Sequence, residues 1–191
     1  MNKILAILAA AIFLLPLQAS AEGHKHSRNN EFRQATKSKI QAYREQQKSE
    51  NKDFRKSLHD SDMSQGQKVE TIKNHKETQY TENTAFHEQL HAENIAHLSE
   101  KLANNEKLSN EQKQEILARK QAKYEENVSL RAQQHSENIS AIDRILGNPN
   151  LSSEERKTQM KEFHAEKRKE NKEHRQTHRK ENKDSRQSFK P

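Results

Sequence analysis

The chain has 191 residues, of which 33% are charged and 29% hydrophobic, with a mean hydropathy of −1.36 and a formal net charge of +7. It contains no cysteine, which excludes disulfides, thiolate metal sites and lipid attachment at a thiol. Such a polar chain has too little apolar area for a sizeable globular core, whereas its abundant helix-forming residues favour long helices joined along a narrow seam.

Residues 1 to 21 are predicted to be a secretory signal segment. Lys3 gives a positive start, residues 4 to 15 form an apolar run, and the small residues 19 to 21 form a cleavage site before Glu22. The run of 12 residues is too short to cross a bilayer core of about 30 Å as a helix. We therefore expect an exported protein, periplasmic or secreted.

The rest of the chain repeats one sequence unit four times. A tripeptide that ends in Glu-Asn returns at intervals of 43, 44 and 44 residues. Its asparagines are Asn51, Asn94, Asn138 and Asn182. The surrounding residues keep the same register, since Tyr80 and His91 recur as Tyr124 and His135. A fixed period of this length is typical of one supersecondary unit copied along the chain.

Three helix starts carry the same capping-box pattern, a serine followed three residues later by glutamine or glutamate. The pairs are Ser64 with Gln67, Ser109 with Gln112, and Ser152 with Glu155. Turn-forming residues stand just before each serine. The pattern predicts helices over 29–59, 64–104, 109–146 and 152–187. Connections this short favour antiparallel neighbours.

An apolar stripe with an 11-residue spacing predicts the buried face of each helix, with little supercoiling. Its members are Phe32, Ile40, Tyr43, Phe54 and Leu58, then Val69, Ile72, Phe86, Leu90, Leu98 and Leu102, then Ile116, Val128, Leu130, Ile139, Ile142 and Ile145. The fourth helix has only Met160 and Phe163 before Phe189. We predict an all-α fold of four long antiparallel helices, extended and bundle-like, in which the C-terminal basic helix is partly unpacked.

The repeated asparagines fall on or beside this stripe, as Asn94 does four residues after Leu90. A buried asparagine can fix the register between helices at a cost in stability. The alternative is a solvent-facing residue inherited when the unit was duplicated. We favour the register role and leave the alternative open.

Charge divides the exported chain into a body over 22–155 and a basic C-terminal helix or tail over 156–191. The tail has 13 Lys and Arg against 6 Asp and Glu, whereas the body sums to −1. A basic block is usually a solvated helix or tail, and the sharper interpretation is an anionic partner such as lipid or lipopolysaccharide. Export argues against a nucleic-acid partner in the cell.

One stretch matches a zinc-peptidase pattern. His87, Glu88 and His91 form HExxH, and His97 extends it to a string that resembles the metzincin signature, with Asn94 where glycine is usual. No other repeat keeps the full set of these residues, although Glu45 aligns with Glu88 and His135 aligns with His91. The positions that align with His87 are Arg44, Arg131 and Arg175. Because the helix pattern also continues through the stretch, we expect no catalytic residue and no enzyme.

Metal binding without catalysis is a separate hypothesis. Cleavage before Glu22 would create the N-terminus Glu22-Gly23-His24, whose nitrogen donors suit square-planar Cu(II) or Ni(II), with His26 nearby. His87 and His91 are a further candidate pair for Zn(II). We predict that His174 and His178 are solvated, because they lie in a basic segment. Otherwise no cofactor is expected.

The capping boxes also carry a family resemblance. Residues 108–113, Leu-Ser-Asn-Glu-Gln-Lys, with the weaker 63–68 and 151–156, resemble the LTxxQ motif of the Spy/CpxP periplasmic proteins. That family comprises small, basic, helical proteins, among them ATP-independent chaperones, envelope-stress regulators and zinc-responsive relatives. The resemblance implies a chaperone-like or stress-related role. Three motifs and a 44-residue repeat depart from the family pattern.

Three functions follow as hypotheses. In the first, a shallow apolar stripe flanked by basic residues binds unfolded or envelope proteins without nucleotide. The predicted client-binding residues are Phe32, Tyr43, Phe54, Tyr80, Phe86 and Leu90. In the second, the chain binds or senses Cu, Ni or Zn through its histidines. In the third, it is a structural coiled-coil protein that assembles as a homo-oligomer.

Overall fold

The computed structural model describes the backbone of residues 25 to 188 and the side chains of residues 29 to 181. Four helices account for most of this range, and no strand occurs within it. They are α1 Lys25–His59, α2 Gln65–Ala103, α3 Asn110–Ala141 and α4 Ser153–Ser188. The predicted all-α fold is therefore confirmed. The predicted signal segment, the residues Glu22, Gly23 and His24, and the side chain of His26 lie outside the described part of the chain.

All three predicted capping boxes are present. The Ser64 hydroxyl accepts from the Gln67 amide at 3.4 Å, while the Gln67 side chain accepts from the Ser64 amide at 2.8 Å. Ser109 and Gln112 make the same exchange at 3.3 and 2.9 Å. The third box, Ser152 with Glu155, has distances of 3.3 and 2.7 Å. Each box satisfies two backbone N–H groups that the first turn leaves without a helical partner.

Replacing Ser109 with alanine should lower the free energy of unfolding by about 0.5–2 kcal/mol, because the Gln112 amide loses its acceptor at the start of α3. Urea denaturation followed by circular dichroism measures the change. A Ser129→Ala variant, in the middle of α3 on its exposed side, is the matched control and should change stability little. Equal effects from the two variants would contradict a capping role for Ser109.

The chain divides after Asn51 into two compact units. In the first, α1 places Phe32, Ile40 and Tyr43 at half-buried positions, as the 11-residue stripe predicts. Charge is concentrated on α1 as a whole, which has ten Lys and Arg against four Asp and Glu, a formal charge of +6. The nearly neutral body predicted from sequence thus contains one strongly basic helix.

The second unit, from Lys52 onward, contains the buried core. α2 and α3 run antiparallel, since Tyr80 pairs with His135 and His91 pairs with Tyr124. The α3 helix ends in a π-helical turn over Ile142–Leu146, which packs against α2 and α4. The buried apolar residues of the described range are Val69, Leu90, Leu102, Ala141, Ile142 and Ile145. Two polar contacts join the turn to α2. The Gln65 side-chain amide donates to the Leu146 carbonyl, and the Lys73 ammonium forms an ion pair with the Asp143 carboxylate.

α4 runs antiparallel to α3 and is held mainly by polar side chains. Its half-buried positions follow spacings of 4, 3, 4, 4, 3 and 4, which is the 11-residue period. They are Arg156, Met160, Phe163, Lys167, Asn171, His174 and His178. None of the α4 side chains up to Glu181 is fully buried. The sequence predicts that the C-terminal half of this helix lacks large apolar residues, and the half-buried positions after Phe163 are indeed polar up to Glu181.

Several asparagines bond within their own helices, and Asn51 and Asn94 of the repeated set are among them. The Asn51 side chain donates to the Gln47 carbonyl at 2.7 Å. The side-chain amides of Asn83, Asn94 and Asn127 each donate to the carbonyl four residues earlier, at 2.6 Å. Asn171 does the same at 2.8 Å and also accepts from Gln134 of α3 at 2.8 Å. Such a bond to the carbonyl four residues earlier satisfies the side-chain amide within its own helix, so a partner on a neighbouring helix is not required. The cross-helix bond of Asn171 lies outside the four repeated positions, so the register role of the repeated asparagines stays a prediction.

No helix between residues 25 and 188 combines the length and the apolar character needed to cross a membrane.

Candidate functional site

Two tyrosine–histidine stacks join α2 to α3. The Tyr80 and His135 rings lie 4.1 Å apart between centroids, and the His91 and Tyr124 rings 3.8 Å apart, both nearly parallel. Tyr80 corresponds to Tyr124 in the repeat, and His91 corresponds to His135. Two copies of one unit that pack antiparallel place these residues opposite each other twice, around a local pseudo-twofold axis. The repeated residues therefore have a structural role in the hairpin.

One of these stacks contains His91, which is also the second histidine of the HExxH sequence. The His91 ring covers Tyr124, and its Nε2 lies 2.8 Å from the Gln121 side-chain oxygen. His87 is exposed on the surface of α2, with its ring edge-on to Phe86 at 5.9 Å. Among the described side chains, His87, His91 and His97 do not form a group of three converging metal ligands. The α2 helix continues unbroken through Asn94.

The predicted client-binding residues lie in different environments. Leu90 is buried in the core. Phe54 stacks on His75 with 3.8 Å between ring centroids, and Tyr80 stacks on His135. Phe32, Tyr43 and Phe86 are half-buried. Client binding by these side chains stays a prediction.

A different group of potential ligands converges between α3 and α4. Glu126 projects from α3, whereas His174 and His178 project from successive turns of α4. The Glu126 Oε1 atom lies 3.0 Å from His178 Nε2 and 3.8 Å from His174 Nε2. One ligand atom from each residue lies within 4.8 Å of the other two. We call this group the α3–α4 cluster.

Lys123 and Glu181 border the α3–α4 cluster. The Lys123 ammonium lies 3.2 Å from Glu126 Oε2, the oxygen that does not face the imidazoles, and it also pairs with Glu181. Burial alone would lower the pKa of Lys123, but these two carboxylates outweigh it and raise the pKa. The hydrogen bond from Lys123, with a smaller contribution from His178, lowers the pKa of Glu126. Glu126 is therefore an anion at neutral pH.

The expectation that His174 and His178 are solvated is wrong. Their side chains are 29% and 14% exposed, because both occupy the α4 seam positions that face α3. The 11-residue pattern, extended past Phe163, would have placed both histidines on this face. Glu126 could not be found in the same way, since its position opposite them depends on the register between two helices.

Comparison with known proteins adds no relative, because no family model, no curated protein and no solved structure matches the chain. The resemblance to the Spy/CpxP proteins therefore stays a prediction from the capping-box motifs.

Proposed function

We propose that the protein is an exported helical binding protein that captures unfolded polypeptides without nucleotide, as an ATP-independent chaperone or envelope-stress factor. Its clients bind through apolar side chains along the helix seams, and basic residues attract them first. The resemblance to Spy/CpxP proteins points to the same class.

The observation that carries this proposal is the shallow burial of the described side chains. None of them is less than 2% exposed, and only six apolar residues count as buried. Phe54, Tyr80 and Phe86 lie half-buried at the helix surfaces. Separating such seams exposes aromatic side chains at a small loss of buried apolar area. An unfolded chain offers apolar side chains that replace the lost contacts.

Charge supplies the second part of the proposal. α1 has a formal charge of +6, and the segment from Arg156 to the C-terminus has +7. Basic surfaces raise the association rate of acidic partners, and this effect weakens as salt screens it. We therefore propose clients with acidic character. Anionic lipid or lipopolysaccharide would bind to the same basic segments.

In a chaperone assay, a molar excess of the exported protein should slow the aggregation of an unfolded acidic client without ATP. A Tyr80→Ala/Phe86→Ala variant should protect less, because it loses two aromatic contacts that a client would use. Helicity by circular dichroism checks that this variant is folded. The matched control, Thr78→Ala/Thr81→Ala, changes exposed positions of the same helix and should protect as the unaltered protein does.

Light scattering of the client at increasing salt completes the test, since protection should weaken as electrostatic capture is screened. Aggregation curves that are the same with and without the protein would contradict the proposed function.

A further inference from the structure

We propose that Glu126, His174 and His178 bind a zinc(II) ion that joins α4 to α3. This inference is independent of the chaperone-like function, since it concerns a separate group of side chains. It also differs from the metal sites expected from sequence, which involve the N-terminus and the HExxH histidines.

The chemistry of the α3–α4 cluster fits zinc. Two imidazoles and one carboxylate are a common ligand set for this ion, and a water molecule completes its tetrahedral shell. Ligand atoms around tetrahedral zinc are separated by about 3.3 Å, given metal–ligand bonds of about 2.0–2.1 Å. The Glu126 oxygen lies 3.0 and 3.8 Å from the two histidine nitrogens, on either side of that value. All three ligand atoms lie within 4.8 Å of one another, so side-chain rotation could bring them onto one ion.

The local charge also admits a cation, although α4 is basic. Two carboxylates, Glu126 and Glu181, surround the single Lys123 ammonium. That ammonium contacts Glu126 through Oε2, which leaves Oε1 directed at the imidazoles. The nearby Arg175 bonds through Nε to the carbonyl of Asn171 on its own helix, at 3.0 Å. With neutral imidazoles, Glu126, Glu181 and Lys123 sum to −1.

The ion would strengthen a helix that has little buried surface. α4 has no fully buried side chain up to Glu181, and its contacts with α3 include an ion pair and a hydrogen bond between side-chain amides. An ion that binds the folded arrangement and not the unfolded chain stabilises the fold by an amount that grows with the logarithm of the ion concentration once that concentration exceeds the dissociation constant. Zinc would thus hold the basic helix against α3, and its removal would loosen that helix.

The test uses the chain expressed with its own N-terminal segment, purified after export and treated with chelator. A His24→Ala background removes the N-terminal metal site predicted from sequence. Titration with Zn(II) in a calorimeter should show one site per chain. Co(II), used as a coloured substitute, should give the visible absorption of a tetrahedral site with nitrogen ligands.

The decisive variant is His174→Ala/His178→Ala, which should weaken zinc binding by more than about 10-fold, because the loss of a residue that only orients a metal ligand already costs about that much. Its matched control, His59→Ala/His164→Ala, removes two histidines from elsewhere in the second unit and should retain the affinity. Zinc should also raise the melting temperature of the control and not of the variant.

Glu126→Gln provides a second route if the double histidine variant folds poorly. It keeps the side-chain size and should also weaken zinc binding. Unchanged zinc affinity in both variants would overturn the site, as would an equal loss in the His59→Ala/His164→Ala control. A Co(II) complex without the absorption of a tetrahedral site would overturn the ligand geometry. None of these results bears on client capture, which the aggregation assay tests separately.

Discussion

An Ile145→Ala variant should lose about 2–5 kcal/mol of unfolding free energy. Ile145 is only 2% exposed, in the π-helical turn that packs against both α2 and α4. Truncation removes three side-chain carbons and leaves a cavity in a core that has six buried apolar members among the described side chains. Because natural domains are stable by only about 5–15 kcal/mol, a large part of the total would be lost. Urea denaturation followed by circular dichroism measures the effect.

Met63→Ala is the matched control for this truncation. It also removes three side-chain heavy atoms, but Met63 is 41% exposed before the start of α2. Its stability should change by less than about 0.5 kcal/mol, as is usual for surface positions. If the two variants were equally stable, the π-helical turn could not be the centre of the core.

The second large effect is expected for Gly147→Ala, which should destabilise the protein by about 1–3 kcal/mol through overpacking. A Cβ atom at this residue would lie 2.5 Å from the backbone carbonyl oxygen of Asp143. That carbonyl already accepts from the Gly147 amide at 3.1 Å as the turn closes. The backbone would have to shift, because no flexible side chain is available to move aside.

Gly66→Ala is the corresponding control, since a Cβ atom there meets nothing within 4 Å. Gly66 lies in the first turn of α2, where alanine reduces the freedom of the unfolded chain. This variant should gain about 0.4–1 kcal/mol. Thermal unfolding of both glycine variants measures the pair. A Gly147→Ala variant as stable as Gly66→Ala would show that the turn tolerates a side chain.

The helices could be predicted from sequence because their ends carry local chemistry. Ser64, Ser109 and Ser152 cap three of them as the motif predicts, since a capping box depends on residues only three positions apart. The 11-residue spacing likewise predicted the half-buried positions of α1. Both signals are contained within a single helix and need no knowledge of its neighbour.

The remaining features depend on the register between helices. The π-helical turn at 142–146 lacks a local sequence signal, and its form follows from packing against α2 and α4. His91 and His135 were visible as repeated residues, but their stacking on Tyr124 and Tyr80 required the antiparallel offset. The same offset decides that Glu126 faces two histidines of α4.

The net charge of a long segment can conceal a strongly charged helix within it. Residues 22 to 155 sum to nearly zero, yet α1 alone has +6, which acidic residues elsewhere in the body offset. A sum over the body hides this difference, because the charges of opposite sign cancel. The difference matters to a partner that contacts a single helix, since that partner is attracted by the charge of that helix. A charge sum over the predicted helix 29–59, taken separately from the rest of the body, would already have shown that this helix is basic.

Amide hydrogen exchange, resolved by helix, tests the central structural claim most directly. That claim is that α2, α3 and the π-helical turn form the stable centre of the second unit, while a polar seam holds α4. The slowest exchange should therefore occur around Ile142 and Ile145, with clearly faster exchange in α4 after Phe163. Exchange in α4 as slow as in the centre, in chelator-treated protein, would contradict this account.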